Sequence, residues 1–158
     1  MSKRYTFEDE QSFRELTYKW SIAWDTKDLS TFLSITAPEI TVDYRDFPAV
    51  KILRRCAPGD FFKSSFNADN LGHPDLHIQH LLGAAMFERV SDDEATGSWQ
   101  VRARHVRQKD NGEVADWDSS NITEFRYTRV NGEWKLSGLR PHTVVAAIGK
   151  PEDVIGKF

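Results

Sequence analysis

One cysteine, Cys56, is all that the 158 residues contain, so no internal disulfide framework can hold the chain together. It lies in a Lys/Arg-rich stretch that reads as turn. Arg54 and Arg55 could lower its thiol pKa, but the preferred reading is an inert side chain. No run approaches the 18 or more apolar residues of a membrane span, and Met1 to Glu10 lacks the apolar core of a signal peptide. The expectation is a soluble, cytoplasmic protein. A basic stripe is missing too: 21 basic and 24 acidic residues are mixed along the chain for a formal charge of -3, which leaves no footprint for phosphates and argues against nucleic acid as a partner. Neither a glycine-rich phosphate loop nor a G-x-S-x-G elbow is present, which disfavours nucleotide cofactors and serine hydrolysis.

What the chain has is apolar periodicity. With 39% hydrophobic and 12% aromatic residues, it can bury roughly two thirds of its unfolded surface, and one domain over residues 1–158 is expected. Thr6 with Asp9 three residues on starts a helix, and Phe13, Leu16, Trp20 and Ala23 or Trp24 follow at 3.6-residue spacing. A shorter helix over Lys27 to Ile35 places Leu29, Phe32 and Leu33 inward and stops at Ala37-Pro38. In Glu39 to Arg45, Ile40, Val42 and Tyr44 alternate with polar residues as in a strand, and Pro58-Gly59-Asp60 opens a third helix through Phe61, Phe62 and Phe66.

The second half predicts four long strands, His77 to Glu88, Ala95 to Gln108, Val114 to Arg129 and Glu133 to Pro141. Between them stand Ser91-Asp92-Asp93 and the hairpin signals Asp110-Asn111-Gly112 and Asn131-Gly132. Helices grouped before one curved antiparallel sheet give an α+β fold in which the sheet wraps around the first helix, and the mouth of such a cone is a natural ligand pocket. Alternation then selects the polar residues that enter it. Trp99, Val101, Ala103 and His105 share one face, as do Trp117, Ser119, Asn121, Thr123, Phe125 and Tyr127, and His80 is placed inward with Ile78 and Leu82.

Taken singly, an inward histidine is more often a hydrogen-bonded core residue than a catalyst. Two histidines, Ser119, Asn121, Tyr44 and the helix-end Asp25 converging on one cavity are costly to bury without function. A metal site from His73, His77 and His80 is disfavoured, because His77 and His80 fall on opposite faces of a strand and His73 lies in a Gly-His-Pro turn. No cofactor is expected.

The order Trp24-Asp25-Thr26-Lys27-Asp28, Ala37-Pro38, Val42-Asp43-Tyr44-Arg45-Asp46-Phe47, Gln79-His80 with Gly83, His105, Ser119-Ser120-Asn121, and Gly132-Glu133-Trp134-Lys135 through Gly138-Leu139-Arg140-Pro141 resembles scytalone dehydratase. The resemblance runs from about residue 7 to Pro141. It implies a cone-shaped α+β barrel, typically a homotrimer, that dehydrates a hydroxylated polyketide-derived ring ketone in fungal melanin synthesis without metal or organic cofactor. By position it implies that Asp25 pairs with His105, that Ser119 supports His80, that Asn121 holds a substrate hydroxyl and that Tyr44 serves the ring carbonyl. Trp24 and Phe47 would line the substrate site.

Two departures stand out. The family has a tyrosine before its helix-end aspartate, where this chain has Trp24, an N–H donor that cannot accept or ionise as a phenol does. The tail from His142 to Lys157 carries Val144, Val145, Ile148, Val154 and Ile155, with Phe158 its one aromatic, where the family closes its pocket with aromatics. The favoured reading is a cofactor-free hydro-lyase acting on a scytalone-like ketone through an enolate. The alternatives are a dehydratase/cyclase that steers a quinone-methide-like intermediate, and a non-catalytic small-molecule binder.

Overall fold

The computed structural model describes residues 5–47 and 50–155. Helix α1 (Phe7–Asp25) begins at a capping box in which the Asp9 N–H donates to Thr6 Oγ1 at 3.1 Å and the Thr6 N–H donates to Asp9 Oδ2 at 3.3 Å. This satisfies two backbone donors that a helix start otherwise leaves orphaned. Thr6→Ala should lower stability by about 1 kcal/mol, measured by urea unfolding. The buried face of α1 is Phe13, Thr17, Trp20, Ala23 and Trp24, the spacing that the sequence displays.

Helix α2 (Leu29–Ile35) starts later than expected, because Asp28 caps it through the Thr31 N–H and Lys27 sits at φ 59°, outside helical geometry. Leu33, expected inward, is 46% exposed, and Ile35 at 3% takes the core position beside Phe32. Strand β1 (Thr36–Asp43) runs through Pro38. Ile40 and Val42 point inward as expected, whereas Tyr44 lies one residue past the strand's end. The stretch read as turn around Cys56 is instead a strand, β2 (Leu53–Cys56), antiparallel to β1 at the sheet's edge. Helix α3 (Pro58–Ser65) buries Phe61 and Phe62.

Four long strands follow: β3 (Leu76–Arg89), β4 (Glu94–Gln108), β5 (Val114–Val130) and β6 (Glu133–Ile148). Asn131 and Gly132 have φ of 52° and 86°, the left-handed pair that a two-residue hairpin requires. The sheet order is β2-β1-β6-β5-β4-β3, antiparallel except where β1 lies parallel to β6. A Cβ on Gly138 would stand 2.6 Å from the Thr41 carbonyl oxygen, so only glycine lets those two strands approach at this point. Strand β6 does not stop at Pro141. It continues through Val144 to Ile148 and pairs again with β5 beyond a register shift. A short helix α4 (Pro151–Val154) then buries Val154 and Ile155. Phe158 and Lys157, cited above for the tail, lie outside the described residues, as do Met1 to Arg4.

The sheet curves around α1, and one end of the enclosed space is sealed. Phe13 stacks on Tyr127 at 4.5 Å, with Tyr5 and Trp134 edge-on to it. The Tyr127 hydroxyl accepts from Trp99 Nε1 at 3.0 Å and lies 2.6 Å from Thr17 Oγ1, whose own hydrogen goes to the Phe13 carbonyl at 2.9 Å. Tyr127 must therefore donate to Thr17, and every polar atom of this buried network has a partner. Among the described residues, no helix is long and apolar enough to cross a membrane.

Candidate active site

The opposite end of the enclosure is open and unsatisfied. A cavity of about 310 Å³ is lined there by His80, His105, Tyr44, Ser119, Asn121, Trp24 and Phe47 among others, which brings together the expected site residues except Asp25. Asp25 stands behind the cavity wall as the partner of His80.

That partnership corrects the pairing expected from the resemblance. Asp25 Oδ1 lies 2.7 Å from His80 Nδ1, and both carboxylate oxygens are 3.0 Å from the His80 backbone nitrogen. One carboxylate thus fixes the ring and the strand that carries it. The physical reason is positional: Asp25 is the last residue of α1, and α1 packs against β3, the strand of His80. His105, one strand further on, makes no hydrogen bond or ion pair with it among the described residues. Against an ionised carboxylate, Nδ1 of His80 is a donor, so Nε2 is left with its lone pair as the nitrogen free to serve a ligand. The ring is also held edge-on by Trp20 at 5.0 Å.

His105 has a different environment. It is 6% exposed and stacks on Trp117, its pairing partner on β5, at 4.6 Å and 21°. Its Nδ1 is buried without a hydrogen-bond partner among the described residues. Burial chiefly, and then the neighbouring His80, push its pKa down to about 3, because a charge there loses its hydration and meets a second imidazole. The two rings are 6.2 Å apart and nearly perpendicular. They are therefore unlike: His80 has a carboxylate behind it, and His105 is held neutral.

Ser119 does not support His80. It shares a cross-strand row with Ala103, which pairs in turn with His80, so a whole strand separates them, and its buried Oγ has no partner among the described residues. Asn121 is better defined. Thr123 Oγ1 donates to its Oδ1 at 2.7 Å, which orients the amide and leaves the NH2 group as its unused donor. The Tyr44 hydroxyl makes no hydrogen bond among the described residues, and burial raises its pKa well above the ordinary phenol value, so it remains a proton donor. Trp24 sits among Phe32, Phe61, Phe62 and Phe66, with its buried Nε1 unpartnered.

Residues that the sequence reading did not assign to the site complete the wall: Trp20 and Trp117 from the apolar faces, Ile155 following α4, and Arg54, Ser64, Ser65 and Asn70 on the side of β2 and α3. Trp20, Trp117 and Phe61 were legible as inward-facing residues. Arg54 was hidden in what reads as a turn. Burial raises the Cys56 pKa, which removes the rationale for a nucleophilic thiol. Among the described residues, no group of three or more His, Cys, Asp or Glu side chains could hold a metal ion.

An α1-plugged cone with polar atoms facing a cavity at one end defines an α+β cone with a candidate small-molecule site. Residues 4–149 match the family model for scytalone dehydratase, and the chain belongs to that family. Its relatives include the dehydratase GME11372 of Pestalotiopsis microspora, 38% identical over 129 residues that cover 78% of this chain and 79% of the relative. Scytalone dehydratase of Pyricularia oryzae is 32% identical over 144 residues, covering 89% and 83%. Among solved structures, a type 2 hexachlorocyclohexane dehydrochlorinase (LinA) superposes with a TM-score of 0.70 at 16% identity, over 90% of this chain and 89% of the other. Membership of the family makes this chain a dehydratase, a hydro-lyase.

Proposed function

We propose that the chain eliminates water from a hydroxylated polyketide-type ring ketone, with His80 as the group that carries the proton. The observation that supports this is the Asp25–His80 pair at 2.7 Å beside the cavity. Loss of water from a β-hydroxy ketone needs a base for the proton α to the carbonyl, a donor for the developing enolate oxygen and an acid for the departing hydroxyl.

His80 Nε2 takes the α proton. The C–H pair becomes the enolate, and the imidazolium so formed rests against the Asp25 carboxylate. Tyr44, protonated at all working pH values, donates a hydrogen bond to the enolate oxygen. Reformation of the carbonyl then expels the β-hydroxyl, which takes the proton back from His80 and leaves as water, so no net proton or electron is required. His105, neutral, holds the leaving oxygen through Nε2, and the Asn121 NH2 group orients a substrate hydroxyl. A positioned acid or base of this kind contributes about 10² to 10⁴-fold.

The test is incubation of the purified protein with scytalone and with related β-hydroxy ring ketones, the products being identified by mass spectrometry. The expected result is the dehydrated aromatic product from at least one of them, formed faster than without protein. If no compound of the class loses water, the dehydratase reading of this site fails.

A further inference from the structure

The cavity has a second polar wall, remote in role from the histidines, and it carries a cation. In the antiparallel pairing of β1 with β2, Arg54 stands opposite Val42 and Cys56 opposite Ile40. Directly paired residues share a face, and Val42 and Ile40 are core residues at 0% and 3% exposure. Alternation therefore turns Arg54 toward the interior of the cone and its neighbour Arg55 outward, where Arg55 binds Glu39. An arginine on the core face of a strand is unusual, since its charge is stabilised there only by a partner or by water.

Arg54 lines the cavity and is nevertheless an exposed residue, which places it at the mouth. No carboxylate lies within ion-pairing distance of it among the described residues. Its one hydrogen bond is a long one, Nη1 donating to Ser64 Oγ at 3.4 Å. Ser64 and Ser65 give their own hydroxyl hydrogens to the Phe61 carbonyl, at 2.8 and 2.9 Å, so those hydroxyls are oriented toward α3. Most of the five guanidinium N–H donors are thus uncommitted, in a geometry that matches a carboxylate.

We propose that Arg54 is a specificity residue that selects a substrate bearing a carboxylate, bound with its acid group at the mouth and its hydroxy-ketone ring against His80 and His105. This rests on the dehydratase reading of the cavity and adds the substrate's charge to it. Aromatic and aliphatic side chains, Trp117, Val101 and Leu139 among them, line the same cavity, so the ligand class is an aromatic or polycyclic acid rather than a small polar one.

The experiment reads binding without turnover, by titration calorimetry of 3-hydroxy-2-naphthoate and of its methyl ester, two ligands of one shape that differ in charge. Wild-type protein should bind the acid about tenfold more tightly than the ester, as a charge-assisted hydrogen bond at a partly solvated site provides. Arg54→Leu should abolish that preference while leaving ester affinity and thermal stability unchanged, and Arg54→Lys should restore part of it. Equal binding of acid and ester by wild type, no binding of the acid, or a preference that survives Arg54→Leu would each overturn the proposal. A protein that dehydrates nothing yet keeps the Arg54-dependent preference would refute the reaction and leave the subsite standing.

Discussion

Asp25→Asn should lower kcat by about 10³-fold with KM nearly unchanged, and His80→Gln should do at least as much. In the folded chain the Asp25 carboxylate holds both the ring of His80 and the strand that carries it. Its two oxygens accept from the His80 backbone N–H and from the ring at once. An amide has one acceptor oxygen and one donor group, so Asn cannot satisfy both without turning its NH2 toward a donor. Turned the other way, it would accept nothing from Nδ1–H, and the ring would lose the tautomer that frees Nε2. Either way, the negative charge that stabilises imidazolium in the transition state is gone. Because ground-state contacts to the ligand come from other residues, the loss falls on kcat. Circular dichroism and melting should show both variants folded. Asp25→Asn activity within threefold of wild type would mean that His80 is not the proton carrier.

How much of this site can be read from sequence depends on which physical rule fixes each residue. Strict alternation along β4 and β5 placed His105, Ser119, Asn121 and Tyr127 on the inner face, and all four are buried. That rule is local and robust, since a one-residue slip would invert every side chain. The spacing of Phe13, Trp20 and Trp24 placed the core face of α1 in the same way.

Pairing across the fold is another matter. Two inward histidines offered Asp25 two partners, and the choice was made by α1 lying against β3, a contact spanning 55 residues. No local pattern encodes it. Strand β2 was missed for a related reason: Leu53-Arg54-Arg55-Cys56 has little apolar alternation, and it is extended because β1 offers a free edge. With the strand went Arg54, whose inward direction has meaning only once the strand exists. Pro141 marked an end for β6 because proline removes a ladder donor, yet the strand resumes its pairing at Ala146 with Ser120.

Acid should destabilise this protein through His105, and His105→Phe should remove that sensitivity. The imidazole titrates near 6.5 in an unfolded chain and near 3 in the fold, so the folded pKa is depressed. Above pH 6.5 the group is neutral in both states and costs nothing. As pH falls through 6.5, the unfolded chain binds a proton that the folded chain refuses, and stability declines until the folded pKa is reached. Each pH unit inside that window is worth up to about 1.4 kcal/mol, so the step from pH 6.5 to 4.5 should cost roughly 2 to 3 kcal/mol from this residue alone.

Phenylalanine keeps a flat ring against Trp117 and carries no titratable proton, so the variant should fold while losing the effect. Other acid-sensitive groups act in a lower window. Asp43 is held down at about 2 by Arg45, and Asp118 is lowered by Arg102, so their ion pairs persist until pH falls below the ordinary carboxylate range. Both are common to the two proteins, and of the charges that lower Asp118, His105 acts least, so they largely cancel in the comparison. The measurement is urea unfolding at pH 7 and pH 4.5: wild type should lose more stability than His105→Phe by that margin. Equal losses would show that His105 accepts a proton inside the fold, which would give it the imidazolium form that the proposed division of labour reserves for His80.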